Sequence, residues 1–93
     1  MKILAIAREK SKGDYAPFLV DETLKVWDLY LKESIREIYF TEERNAVLLL
    51  ECKDKSEARQ LLFQLPLVKQ NLISFEIFEL HPYTGYSILF EKT

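Results

Sequence analysis

Two short runs of aliphatic residues constrain the fold of this chain more than any other feature. Ile3 to Ala7 and Ala46 to Cys52 are almost uninterrupted apolar segments, without the alternation of polar and apolar residues typical of a half-exposed strand. Each run therefore predicts a β-strand that is covered on both faces. Because 93 residues have room for one core, we expect residues 1–93 to form a single domain with both strands in the middle of one sheet.

The segment after the first strand has the periodicity of a helix. An apolar face recurs at spacings of four, three and four residues: Val20, Leu24, Trp27 and Leu31. Pro17 suits the first turn of a helix, where its missing N–H costs no hydrogen bond. We predict a helix from about Pro17 to Glu33 that buries this face, with Trp27 in the core rather than stacked on a cofactor.

The remaining elements follow from alternation and from capping residues. Polar and apolar residues alternate in Ile35 to Thr41 and in Leu72 to Leu80, which predicts two further strands, each with one wetter face. Asp54 to Glu57 has the reciprocal capping pattern of a helix start, and Pro66 is expected to end that helix. The tail, residues 83–93, is a candidate for an extra strand on this sheet or on that of a neighbouring chain.

This order, β-α-β-β-α-β, predicts an α+β protein with the ferredoxin-like split arrangement. Right-handed crossovers place the first and third strands, which are the two aliphatic ones, at the centre of an antiparallel sheet. Two helices cover only one face of such a sheet. Since the other face also carries leucine and phenylalanine, we expect a second sheet to pack there, most simply in a homodimer or a higher homo-oligomer.

Charge and cysteine content exclude several classes of function. The net charge of −2 and the pI near 5.4 give no general attraction to phosphate backbones, so nucleic acid is not an expected partner. The single cysteine, Cys52, can neither form an internal disulfide nor begin a zinc cluster, and we expect it to be an inert strand residue. No segment has the pattern of a signal peptide or a membrane span, so a cytoplasmic location is expected. No cofactor or metal motif is present.

The second half of the chain resembles the muconolactone isomerase-like family of dimeric α+β barrels. The resemblance rests on the capped helix Asp54 to Leu62, the tripeptide Leu65-Pro66-Leu67, a strand of fixed length, and His81-Pro82 closing that strand. It covers roughly residues 42–82. It implies a small β-barrel dimer with a cavity for a small carboxylated lactone.

Isomerising such a lactone needs a base and an acid near a conjugated carbonyl, and a cation for the carboxylate. The antiparallel order brings strand ends together near His81 and Glu51, which are our candidate catalytic residues, since histidine titrates near neutral pH. Arg36, at the start of the second strand, would hold the carboxylate. Arg8 and Ser74, at the opposite end of the sheet, form a second candidate pocket for substrate. Two aromatic residues are candidates for a cavity mouth or an interface: Tyr39 and Tyr83.

Two other functions remain open at this point. One is a noncatalytic dimeric module that binds a small ligand or only assembles. Ser74 favours it, because it stands where the family's strand usually carries an acidic residue. The other is a cofactor-poor oxygenase of the same fold, for which the lone His81 gives little support. Fold alone does not separate these functions, because one scaffold hosts many chemistries.

Overall fold

A computed structural model describes residues 1–91, and the ferredoxin-like order predicted above is confirmed. The elements are β1 (Lys2–Glu9), α1 (Leu19–Leu31), β2 (Ile35–Phe40), β3 (Ala46–Glu51), α2 (Lys55–Leu62), α3 (Pro66–Lys69) and β4 (Ile73–Leu80), with 3-10 helices at Ala16–Phe18 and Gly85–Leu89. The strands form one antiparallel sheet in the order β2-β3-β1-β4. None of the helices within residues 1–91 has the length and apolar character that crossing a membrane requires.

The core lies between the two central strands and the helices. Ile3, Ala5, Leu48 and Leu50 alternate along β1 and β3 toward the helices and are at most 2% exposed. Leu62 and Leu65 pack against them from the helical layer. The intervening residues Leu4, Ile6, Val47 and Leu49 lie on the other face of the sheet, which has no helical cover and leaves them only partly buried. The aliphatic runs therefore mark the central strands, as predicted.

Helix α1 is oriented differently from the sequence prediction. The residues predicted to be buried are exposed: Val20 (73%), Leu24 (60%), Trp27 (56%) and Leu31 (61%). The buried side of α1 carries Leu29, with Val26 packed against the core. The prediction that Trp27 is a core residue is therefore wrong, because α1 has apolar residues on two faces and the sheet contacts the shorter row.

The helices α2 and α3 begin where the sequence has a capping residue and a proline. Asp54 is the N-cap of α2, and one of its carboxylate oxygens accepts a hydrogen bond from the Glu57 N–H at 2.9 Å, as the capping pattern predicted. The helix ends at Leu62, before Pro66. Instead of terminating α2, Pro66 begins the short helix α3, where a proline at the first position loses no hydrogen bond. This break turns the backbone of Leu67 toward α1.

The tail does not form a fifth strand in this chain. Gly85–Leu89 is a 3-10 helix, and its backbone hydrogen bonds are local, from Ser87 to Thr84 and from Phe90 to Ser87. The molecule measures 62 × 27 × 21 Å, so one dimension is more than twice either of the others. Residues 81–91 are all exposed, which indicates that the tail projects from the domain along this dimension. Lys92 and Thr93, the last residues of the predicted extra strand, lie outside the described residues.

Three turns use left-handed backbone at residues other than glycine. Glu33, Arg44 and Asn71 have φ angles of 65°, 68° and 62°, and each follows or precedes a helix or strand boundary. Left-handed backbone costs a residue with a Cβ more than it costs glycine. All three residues lie in connections of three to five residues, in which the backbone must change direction abruptly.

Candidate functional site

A cleft of about 580 Å³ lies between α1 and the sheet, at the end where β1 finishes and β3 begins. Its walls come from every strand of the sheet, and from α1 and α3. The apolar lining includes Ala7, Val26, Ile38, Leu48, Leu65, Leu67 and Phe75. The polar lining includes Glu9, Tyr15, Glu22, Thr23, Arg44 and Asn45. Largely apolar clefts with a few polar groups are the common form of small-molecule sites.

Glu22 is the half-buried acid of this cleft. It lies in the first turn of α1, on the face that points toward the sheet, and its Oε1 accepts a hydrogen bond from the Leu67 N–H at 2.9 Å. Burial raises the pKa of Glu22 above its ordinary value of 4.5, while the Leu67 hydrogen bond opposes part of that rise. A carboxyl group whose pKa lies closer to neutrality can both accept and return a proton.

Tyr15 and Arg44 are two further polar residues of the lining. The Tyr15 hydroxyl donates to the Leu72 carbonyl at 3.4 Å, which is long for an O–H···O bond and leaves this donor weakly engaged. Burial, and then the charge of Glu9, raise the pKa of Tyr15, which keeps its proton in place. Arg44 lies in the connection between β2 and β3, and its guanidinium is 5.0 Å from the centre of the Phe40 ring.

Arg8 and Ser74 meet across β1 and β4, as the second candidate pocket required. Arg8 lines the cleft, and its Nε donates to Glu76 Oε1 at 2.7 Å. Ser74 instead lines a smaller cavity of about 210 Å³, together with Arg59 and Phe63. Of the residues predicted from sequence to bind substrate, Arg8 is the one that borders the cleft.

The opposite end of the sheet holds the predicted catalytic pair. Lys2 pairs with both Glu51 and Leu80, so Glu51 and the residue after Leu80 do lie at one end, as the topology implied. Glu51 Oε1 is 3.5 Å from the Met1 amino group, and His81 Nε2 is 3.5 Å from Glu79 Oε2. His81 is 70% exposed. Neither residue lines the cleft, and their catalytic role stays a prediction.

Arg36, Tyr39 and Tyr83 are also away from the cleft. Arg36 lies at an irregularity in the β2–β3 register, between Ile35 and Glu37. The Tyr39 hydroxyl donates to Glu37 Oε1 at 2.7 Å, and this hydrogen bond raises the pKa of Tyr39. Tyr83 packs edge-on against Tyr86, with ring centres 4.9 Å apart. None of the three lines the smaller cavity beside Ser74 either, and their roles in substrate binding stay predictions.

Cys52 is buried just beyond β3, and its Sγ lies 3.5 Å from the Asp54 carbonyl oxygen. Burial is the main cause that raises the pKa of this thiol, with the charge of Glu57 adding to it. A higher pKa reduces the thiolate fraction and therefore the reactivity of the sulfur. This environment agrees with the inert role predicted from the sequence.

Among residues 1–91, no three His, Cys, Asp or Glu side chains converge as a metal site would require.

Sequence reasoning missed Glu22 because the outward apolar row dominates the helical pattern of α1. The buried row reads Glu22, Val26 and Leu29, with spacings of four and three residues. This is also a helical face, but an acid at one of its three positions hides it. A carboxylate at helical spacing from Val26 and Leu29 is the sequence pattern from which this site could have been predicted.

A comparison with solved structures supports the fold. The chain is similar to 5-chloro-2-hydroxyhydroquinone dehydrochlorinase from Burkholderia phenoliruptrix AC1100, solved in complex with 2,5-dihydroxybenzoquinone. The TM-score is 0.61 at 15% identity, and the match covers 89% of this chain and 97% of the dehydrochlorinase chain. No protein-family model and no curated protein matches the sequence. The likeness shows the fold, which is that of the dimeric α+β barrels.

Proposed function

We propose that this protein is a muconolactone isomerase-like enzyme that binds a small cyclic carbonyl compound in the α1 cleft and transfers a proton there with Glu22. The observation that carries the proposal is a half-buried carboxyl group, with its pKa raised by burial, in an otherwise largely apolar cleft. Perturbed acids in clefts concentrate at functional sites. The structural likeness to a dehydrochlorinase solved with a quinone agrees with a small ring compound as the substrate class.

The chemistry follows from the groups in the lining. The Glu22 carboxylate removes a proton from the γ-carbon of the lactone, and the electron pair of the broken C–H bond moves through the conjugated C=C bond onto the carbonyl oxygen. Tyr15 can donate its hydroxyl hydrogen to that oxygen, because its bond to Leu72 is long and easily exchanged. Returning the proton from Glu22 to another carbon completes an isomerisation without any oxidant. Arg44, at the end of the hairpin, would hold a substrate carboxylate.

The proposed assembly is a homodimer formed through the face of the sheet that lacks helices. The centre of this face is apolar and includes Leu4, Ile6, Val47, Leu49 and Phe78. Charges of both signs surround this centre, with Lys2 and Arg8 on β1, and Glu51 and Glu76 on the strands beside it. An apolar centre with a mixed polar rim is typical of protein interfaces, and mixed signs suit a surface that packs on its own copy.

The decisive experiment follows proton exchange directly. Muconolactone is incubated with the protein in D2O, and ¹H NMR records loss of the γ-proton, on the ring carbon that carries the ring oxygen. We expect Glu22→Gln to slow the exchange by about 10²–10⁴-fold, the usual contribution of a positioned acid or base. Asp21→Asn is the matched control, because it removes a carboxylate from the neighbouring residue, which does not line the cleft. Equal rates for wild type and Glu22→Gln would overturn the proposed role of Glu22.

A noncatalytic binding module is the second candidate, and one contact favours it. The hydrogen bond from the Leu67 N–H to Glu22 gives the acid a structural task, because α3 has no side-chain cap of its own. NMR titration with 2,5-dihydroxybenzoquinone and with muconolactone separates the two functions. Saturable shifts at Val26 and Phe75 without proton exchange would support binding alone. Shifts accompanied by exchange that depends on Glu22 would support the enzyme.

A further inference from the structure

The outward face of α1 is an apolar surface with no cover in the single chain. It consists of Val20, Leu24, Trp27 and Leu31, which we call the α1 outer face. Trp27 stacks on Tyr30, with ring centres 5.7 Å apart, and this pair widens the surface. Isolated exposed apolar residues are ordinary on proteins, but a continuous row of this size marks an interaction site.

The tail is the other uncovered apolar part of the molecule. Residues 83–90 carry no charged side chain. Five large apolar residues in this arm are at least 66% exposed: Tyr83, Tyr86, Ile88, Leu89 and Phe90. We call residues 83–90 the arm. The arm has a defined local shape, because Tyr83 packs over Gly85 and edge-on against Tyr86, and because Ser87 Oγ donates to the Thr84 carbonyl at 2.8 Å.

The position of the arm indicates which chain it contacts. The arm follows β4, which is one edge of the sheet, whereas α1 packs toward β2 at the other edge. Every residue of the arm is exposed and the molecule is 62 Å long, which indicates that the arm extends away from its own domain rather than folding back across it. A second copy of the chain presents the same α1 outer face to an arm arriving from outside. Such an exchange is reciprocal, so two arms would bury two faces.

We propose that the arm of one chain docks on the α1 outer face of a second copy and clamps that helix over its cleft. Leu19 and Thr23, beside the outer face on the same helix, line the cleft, so the arm would close the wall of the partner's site. Two arms, each with three aromatic residues, would bury roughly 1,000 Å² or more, which reaches the size of a specific interface. This surface is separate from the open sheet face proposed above for dimerisation.

Trp27 makes the inference testable, because it is the single tryptophan of the chain and lies in the middle of the α1 outer face. The experiment records Trp27 emission and its quenching by acrylamide over a dilution series of the full chain, with light scattering at each concentration. Docking predicts that emission shifts to shorter wavelength and quenching falls as the protein assembles. The variant I88S/L89S/F90S is expected to lose both changes, whereas E91Q, which changes an exposed residue just outside the arm, is expected to keep them.

A peptide of residues 83–91 contains no tryptophan and provides the complementary test. Added to I88S/L89S/F90S, it is expected to restore protection of Trp27, because it supplies the arm in trans. Protection of Trp27 in a species whose scattering mass is that of a monomer would place the arm on its own helix and overturn the proposal. Assembly that leaves Trp27 fully accessible to acrylamide would also overturn it, since only the open sheet face would then be covered.

Discussion

The two ends of the sheet carry similar residue types and differ in what surrounds them. At one end, Glu51 and His81 are exposed and pair loosely with Met1 and Glu79 at 3.5 Å. At the other end, Glu22 is a residue of α1 whose side chain contacts α3 and lines the cleft above the sheet. Burial there raises the pKa of its carboxyl group. The difference teaches that the enclosing elements, rather than the presence of an acid or a histidine, decide whether an ionisable group is buried.

The largest contrast between the two ends is expected in proton exchange on muconolactone. Glu22→Gln removes the group that we propose moves the proton, whereas His81→Ala removes an exposed side chain that does not line the cleft. We expect His81→Ala to leave the exchange rate close to wild type, against the loss of about two to four orders of magnitude for Glu22→Gln. A large loss with His81→Ala and none with Glu22→Gln would move the site to the other end.

A matched pair of leucines tests packing at the two ends. Leu65, at the cleft, is 1% exposed, and Leu65→Ala should lower the free energy of unfolding by about 2–5 kcal/mol through the cavity that it leaves. Leu80, at the His81 end, is partly exposed, and Leu80→Ala should cost roughly 0.5 kcal/mol. Urea denaturation of dilute protein measures both. A similar loss at Leu80 would indicate that a second copy covers the open sheet face.

The stability of the cleft end should depend on pH through Glu22. Because the pKa of Glu22 is raised on folding, the folded chain holds this proton more tightly than the unfolded chain does. The resulting stabilisation is complete below the ordinary value of 4.5 and is lost as the pH rises through the higher folded pKa. Glu22→Gln cannot lose a proton there, so its stability relative to wild type should increase from pH 4 to pH 7. A constant difference in urea midpoint over this range would contradict the burial of the acid.

Surface ion pairs should give the smallest effects. Arg8 and Glu76 are about half exposed at a distance of 2.7 Å, so Glu76→Gln should cost about 0.2–1 kcal/mol of unfolding free energy. Glu79→Gln, which removes the longer contact to His81 at the other end, should have an effect close to zero. Thermal unfolding in low and high salt checks both variants. A salt-insensitive loss at Glu76 would mean that the side chain acts through packing rather than through charge.

The sequence predicted the sheet well and α1 poorly, for a physical reason. Strand positions depend on aliphatic runs such as Ile3 to Ala7, which have few alternative placements. Helix α1 carries two apolar rows, and periodicity reports each row without saying which one meets the sheet. Apart from the position of Glu22 on the buried row of α1, the cleft has no local signature, because Tyr15 and Arg44 come from a loop and a hairpin that only the fold brings to this helix.

The left-handed residues in the turns have a consequence for the unfolded chain. Glycine in these turns would fold without backbone strain but would also leave the unfolded chain freer. With Glu33, Arg44 and Asn71 at these positions, and only two glycines in the sequence, the unfolded chain has fewer conformations to give up. Compared with glycine at the same positions, these residues therefore reduce the backbone entropy that the chain loses when the three connections fold.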